Sequence, residues 1–233
     1  MNAMLRKIIS SYSDDKRKVD KRENIFVYFV ARPISYILTI VFIKQGISAN
    51  RVSILSAISA LIGSIMIAFG EYDVRLFGSF FIFLWIVLDC VDGNIARYHK
   101  ASSGVGEYLD AMGGYIVNAS IFMAIGIAAF NSTNQVIFLY MGYLASISSI
   151  LSRLLHHKWI NSVGGNNIFT RKGSRGLLIS VIQNFAAVSN FFQVFLITAI
   201  LFQVEKYLIS AYTFINFSIL IYTIFRLPRS KYS

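Results

Sequence analysis

In the stretch LDCVDGNIARYHKASSGVGEYLDAMGG, from Leu88 to Gly114, three aspartates and an arginine stand in apolar surroundings. Asp89, Asp92 and Asp110 lie among long hydrophobic runs, where an ionised carboxylate costs several kcal/mol unless something compensates it. On a helix advancing ~100° per residue, Asp89, Asp92, Gly93, Ala96 and Arg97 fall within an arc of roughly 140°. Gly106, Asp110 and Gly114 recur at i, i+4 and i+8, which makes one stripe of a second helix. The connection between the two helices is short, so they are antiparallel neighbours and Asp110 can face Asp89 and Asp92. Carboxylates that face one another in low dielectric cannot all stay ionised without a cation. Oxygen-only ligands, with neither Cys nor His among them, suit a hard ion such as Mg²⁺ or Mn²⁺. Mg²⁺ takes one or two carboxylates and fills the rest of its shell with water or substrate phosphates. Arg97 suits a phosphate through bidentate hydrogen bonds, and Gly93 and Gly106 let a ligand or a backbone approach closely. The chemistry these residues support is metal-assisted handling of a diphosphate. A purely structural reading, in which the aspartates pair with Arg97, fails because one guanidinium cannot neutralise three carboxylates.

The elements that hold these residues are membrane helices. Of the 233 residues, 56% are hydrophobic and 14% charged, with a mean hydropathy of +0.61. A soluble domain carries about 25% charged residues, so this composition excludes one. Charge-free runs extend over Val52–Gly70, Ala111–Ser152, Gly176–Val204 and Tyr207–Phe225. A spanning helix needs about 20 residues, so the run from Ala111 to Ser152 holds two helices, with NSTNQ (Asn131 to Gln135) as their turn. A further helix starts at Leu76 and runs through the aspartates to about His99. The pattern predicts an all-α integral membrane protein with six spans, near 51–70, 75–99, 105–130, 135–157, 177–203 and 206–226. PISYILTIVFI (Pro33 to Ile43) has only eleven residues between Arg32 and Lys44. It is too short to cross and reads as an interfacial amphipathic helix before the spans. Residues 1–48 are then a basic cytoplasmic arm and interfacial helix, 49–228 a six-helix catalytic domain and 229–233 a cytoplasmic tail.

Charge sets the expected orientation. With the N-terminus inside, 20 of the 22 Lys and Arg residues fall on the cytoplasmic side, and only Arg75 and Lys206 fall outside. Both termini are expected in the cytoplasm, at the inner membrane if the cell is bacterial. The net charge of +11 is accounted for by topology and by anionic lipid headgroups. No aromatic-interleaved basic groove accompanies it, so no nucleic-acid partner is expected. The N-terminus has no signal-peptide pattern. The single cysteine, Cys90, excludes an intrachain disulfide and supplies no metal cluster. An ion carrier would also place carboxylates in the membrane, but it has no need of the Gly and Arg at these spacings.

The run Asp89-x2-Asp92-Gly93-x2-Ala96-Arg97-x8-Gly106-x3-Asp110 resembles the signature of the CDP-alcohol phosphotransferases, D-x2-D-G-x2-A-R-x(7–9)-G-x3-D-x3-D. GISANRVSILS (Gly46 to Ser56) is similar to the segment with which that family starts its first span. The interfacial helix and six spans agree as well, so the resemblance covers nearly the whole chain. It implies transfer of a phospho-alcohol from a CDP-alcohol to an acceptor hydroxyl, with release of CMP, in phospholipid or membrane-linked glycan synthesis. By position, it implies that Asp89, Asp92 and Asp110 bind divalent metal and that Arg97 holds phosphate. Asp89, Gly93, Ala96, Arg97 and Gly106 would form the nucleotide's surroundings. It further implies a homodimer among membrane lipids, with a lipid or a phosphorylated alcohol as acceptor.

The family pattern ends in a fourth aspartate, assigned as metal ligand and general base; here that position is Gly114. General-base help is worth ~10²–10⁴-fold. Four explanations stand side by side. The acceptor could be anionic already, or another group could be the base, with His99, Glu107 and Asn118 the nearby polar residues. The protein could bind a CDP-alcohol without turning it over, or Gly114 could be an engineered change. Glu107, three residues before Asp110 on the same face, is the best-placed substitute, while Asn118 cannot act as a base and reads as a helix-packing contact. Arg171 and Arg175, in RKGSR, are candidates for an acceptor phosphate, although positive-inside charge predicts the same residues. Arg153, His156, His157 and Lys158 crowd the end of the fourth span, and the His pair lacks a third metal ligand.

Overall fold

The computed structural model describes residues 2–101, 104–163, 181 and 184–229, and these are almost wholly helical. Two short helices, α1 (Asn2–Ser10) and α2 (Asp14–Glu23), form the N-terminal arm. Ser13 caps α2 by accepting from the Lys16 N–H, with Asp14 and Asp15 in the first turn and Lys21 and Arg22 in the last. These charges complement the helix dipole at both ends. A π-helical turn, Val27–Ala31, then runs without a break into α3 (Arg32–Lys44). Beyond it come α4 (Ala49–Phe69), α5 (Tyr72–His99), α6 (Gly104–Thr133), α7 (Ile137–Val163), α8 (Phe192–Leu201) and α9 (Glu205–Arg229).

Six of the described helices are long and apolar enough to cross a membrane: Val27–Lys44, Ala49–Phe69, Tyr72–His99, Gly104–Thr133, Ile137–Trp159 and Glu205–Phe225. The all-α membrane architecture with six long apolar helices is the one found, five of them at the expected places. One detail differs. The Pro33–Ile43 stretch belongs to a helix of 18 residues, because the π-helical turn lengthens it and Arg32 does not end it. Arg32 Nη2 donates to Asp20 Oδ2 at 2.7 Å, with both side chains buried, so the charge that bounded this stretch in the sequence is neutralised from α2. The span expected over 177–203 lies partly outside the described residues. Its described part includes α8, an apolar helix of ten residues.

Without a hydrophobic difference between lipid and helix surface, membrane helices associate where small residues let backbones meet. A Cβ on Gly63 would lie 2.7 Å from the Gly78 carbonyl oxygen, and one on Gly78 would lie 2.8 Å from that of Gly63. This pair draws α4 against α5. Gly126 and Gly142 do the same for α6 and α7, since a Cβ on Gly126 would lie 2.8 Å from the Gly142 Cα. Hydroxyls reinforce these seams: Ser59 Oγ donates to the Phe81 carbonyl at 2.8 Å, and Ser146 Oγ to that of Ala119 at 2.9 Å. α4 also packs on α6, α9 on α7 and α6, and α8 on α5. Phe122 of α6, Phe192 of α8 and Tyr212 of α9 meet at centroid separations of 4.9 to 5.7 Å, joining the late helices to the core.

Away from the aspartates, Arg75 Nη1 meets Glu205 Oε1 at 3.0 Å and ties the start of α5 to the start of α9. The Glu205 side chain is 1% exposed. Arg75→Ala strands this carboxylate and is expected to cost about 3–5 kcal/mol. Thermal unfolding in detergent should show a lowered midpoint, which Arg75→Ala/Glu205→Gln recovers in part.

Candidate active site

Asp89, Asp92, Gly93, Ala96 and Arg97 share the last turns of α5. The helix ends directly after them, at Lys100, whose left-handed φ of 53° turns its N–H back to the Ala96 and Arg97 carbonyls. α6 begins at Gly104; among the described residues α5 and α6 each pack closely on α4 rather than along each other, so the neighbours expected from the short connection meet near their ends and not along their lengths. The Asp110 carboxyl comes within hydrogen-bonding reach of that of Asp89, and Asp92 lies close enough to interact with both. The structure thus brings together the three aspartates that the sequence singles out. Asp92 is 7% exposed, and its Oδ2 accepts from Ser53 Oγ of α4 at 2.6 Å, while Asp110 is exposed at the mouth.

A carboxyl pair in contact with a third carboxylate beside it calls for a cation. Among the described residues, no three Asp, Glu, His or Cys side chains converge to enclose a metal on their own. The oxygen-only chemistry of this donor set would suit a hard divalent ion, for which Asp89, Asp92 and Asp110 are the carboxylates that could hold it, with water or phosphate completing its shell.

Arg97 folds back over Gly93, where a Cβ would lie 3.1 Å from its Nη1. Its Nη2 donates to Asn94 Oδ1 at 2.8 Å, and Asn94 Nδ2 donates to Ser35 and Thr39 of α3 at 3.0 and 3.1 Å. Among the described residues, the buried Nε of Arg97 has no hydrogen-bond partner. An unspent N–H on a guanidinium held this firmly is a ready donor for a phosphate oxygen.

The arm also reaches this end of the bundle, for which the sequence gives no spacing signal. Arg32 and Arg97 both approach the Tyr12 ring, with guanidinium carbons 4.0 and 5.6 Å from its centroid. The Tyr12 hydroxyl donates to the buried Asp20, and burial together with this bond pushes its pKa above the ordinary phenol range. Lys16 sits near Arg97 and Asp110. Partial desolvation, then the Arg97 charge, lowers its pKa, while Asp20 and Asp110 pull the other way. Ser53 was equally hidden in the sequence, because its role depends on how α4 is rotated against α5.

Around Gly114 the neighbours come from α7. Asn118 Nδ2 donates to the Gly114 carbonyl at 2.7 Å, and Ser149 Oγ donates to Asn118 Oδ1 at 2.8 Å, so Asn118 is a helix-packing residue. Arg153 lies against Gly114, and His157 Nδ1 is hydrogen-bonded to the Tyr115 hydroxyl at 2.7 Å. Glu107 and His99 are exposed, and Gly106 is half-buried. Arg171 and Arg175 lie outside the described residues.

Residues 46–224 match the family model for CDP-alcohol phosphatidyltransferase. The chain belongs to that family. Its members transfer a phospho-alcohol from a CDP-alcohol in lipid biosynthesis and generally depend on a divalent metal. No curated protein matches the chain. The matched range begins in the α3–α4 connection and ends within α9, so it takes in every aspartate of the site and Arg97, and leaves out the arm.

The Ser53–Asp92 contact makes a direct prediction. A hydrogen bond to a charged group contributes roughly 1.5–3 kcal/mol, so Ser53→Ala is expected to weaken Mn²⁺ binding about tenfold or more. Ser53→Thr, which keeps the hydroxyl, should stay near wild type. Mn²⁺ titration followed by electron paramagnetic resonance in nanodiscs reads both.

Proposed function

We propose that this protein is a Mg²⁺- or Mn²⁺-dependent CDP-alcohol phosphotransferase, acting at the cytoplasmic face of a membrane as a homodimer. Its donor is a CDP-alcohol and its acceptor a lipid or phosphorylated alcohol, in phospholipid or membrane-linked glycan synthesis. The observation that carries this reading is the Asp89–Asp110 carboxyl pair, with Asp92 beside it and the Arg97 guanidinium facing the same end, within a chain of this family.

Asp89, Asp92 and Asp110 would hold the divalent ion, with Ser53 fixing the Asp92 carboxylate. The bound ion would neutralise the diphosphate and the charge that gathers on departing CMP. Arg97, clamped by Asn94, binds a phosphate through its unspent Nε–H and orients the donor for in-line displacement. Gly93 and Ala96 keep the α5 surface low beneath the nucleotide. The acceptor oxygen bonds to the β-phosphorus as the bridging bond to the α-phosphate breaks, and CMP carries away the electron pair. The hydroxyl proton passes to water at the mouth, where Glu107 and Asp110 are the exposed carboxylates.

A second reading is favoured by Gly114 alone: the chain binds a CDP-alcohol without turnover. CMP release from the protein in nanodiscs separates the two. Supplied with CDP-diacylglycerol, CDP-glycerol, CDP-ethanolamine, CDP-choline or CDP-ribitol, Mn²⁺ or Mg²⁺ and a membrane extract as acceptor source, a transferase releases CMP from at least one donor. EDTA and Asp92→Asn should each abolish the release. Silence on every donor, with metal-dependent nucleotide binding retained, would favour the binder.

A further inference from the structure

The position where the family motif carries its last aspartate is filled here from another helix. A Cβ added to Gly114 would lie 2.8 Å from Arg153 Nη2 and 3.5 Å from its Cζ, so the guanidinium rests on the bare backbone of α6. A Cβ at 114 would oblige the tip of this side chain to shift from that position. The same guanidinium acts on Asp89 as a favourable charge, so this solvent-exposed side chain sits at the edge of the carboxylates. Its seat is built. The guanidinium carbon lies 5.9 Å from the Tyr115 ring centroid, and Tyr115 is anchored by its hydrogen bond to His157, one turn along α7. Ser149, one turn before Arg153, fixes the register through Asn118. Among the described residues, Arg153 makes no ion pair within 4.0 Å. Its hydrogen-bonding fork is therefore available to an anion.

We infer that Gly114 and Arg153 act as one unit: the glycine opens a notch in α6, and the Arg153 guanidinium sits in it to bind the diphosphate of the donor. Arg97 approaches the carboxylates from the side of the arm and Arg153 from α7, so the two guanidiniums flank the site. A diphosphate has two phosphate groups to occupy them, and a nucleoside monophosphate has one. Gly114 is then an exchange of a carboxylate for a cation rather than a simple loss. This inference rests on the reading of the site as one that binds a CDP-alcohol.

The test compares CDP with CMP binding to the full chain in nanodiscs with Mn²⁺, by equilibrium dialysis. A charge-assisted hydrogen bond of ordinary strength corresponds to a loss of roughly tenfold to a hundredfold. Arg153→Ala is expected to weaken CDP by that factor while leaving CMP within about twofold of wild type. Arg153→Lys keeps the charge without the fork and should fall between. Gly114→Ala, which adds only the clashing Cβ and leaves every charge in place, should lose CDP selectivity in the same direction. A CDP-to-CMP ratio unchanged in both Arg153→Ala and Gly114→Ala would overturn the inference and leave the wider reading standing. Wild-type protein that binds neither nucleotide in the presence of metal would overturn both.

Discussion

Mutual repulsion among Asp89, Asp92 and Asp110 is the constraint around which this end of the bundle is organised. In a low-dielectric surrounding, like charges this close cannot persist without compensation, and the fold answers with positive and polar groups from almost every neighbouring element. Ser53 of α4 donates to Asp92, Arg97 of α5 is turned back over Gly93, and Arg153 of α7 leans across Gly114 towards Asp89. The arm adds Lys16 near Asp110. None of these contributions is local in sequence to the carboxylate it serves except that of Arg97.

Helix proximity makes such convergence possible. Close backbone approach at Gly63 and Gly78 brings α4 near enough to α5 for Ser53 to reach Asp92. The Gly126–Gly142 contact holds α6 and α7 together along the seam that ends at Gly114 and Arg153. Packing glycines far from the chemistry therefore determine which side chains can meet at the site. The same logic explains the short polar ladder of Ser146, Ser149 and Asn118, whose bonds fix the rotation of α7 as well as its distance.

Much of this was legible in the sequence because it is periodic. Charge-free runs mark the long helices, and the spacing from Asp89 to Arg97 places Asp89, Asp92, Gly93, Ala96 and Arg97 on one face. The stripe through Gly106 and Asp110 similarly predicts the facing helix. What periodicity cannot carry is the identity of partners from other helices. Ser53 and Arg153 look like any hydroxyl or basic residue near a helix end, and only the docked helices show what they touch. Arg32 misled in the other direction. A charge next to Pro33 reads as the edge of an apolar segment, yet Asp20 neutralises it and the helix continues. A buried ion pair between residues 12 apart has no signature in hydropathy.

The anchoring of the arm bears on when the site can be completed during synthesis. The Ile25 N–H donates to Asn184, Asn184 donates to the Arg22 carbonyl, and Asn190 donates to the Glu23 carbonyl, across 159 to 167 residues of chain. Translation is vectorial, so the first two of these bonds cannot form until residue 184 has been made, and the third not until residue 190. The α4–α5 pair can assemble long before then. The segment that delivers Tyr12 and Lys16 to Arg97 is thus translated first and gains its last anchors late: a nascent chain halted before α8 holds the arm through the Asp20–Arg32 pair and the contacts of α1 with α3 and α5, without the asparagine bonds from the far end of the chain.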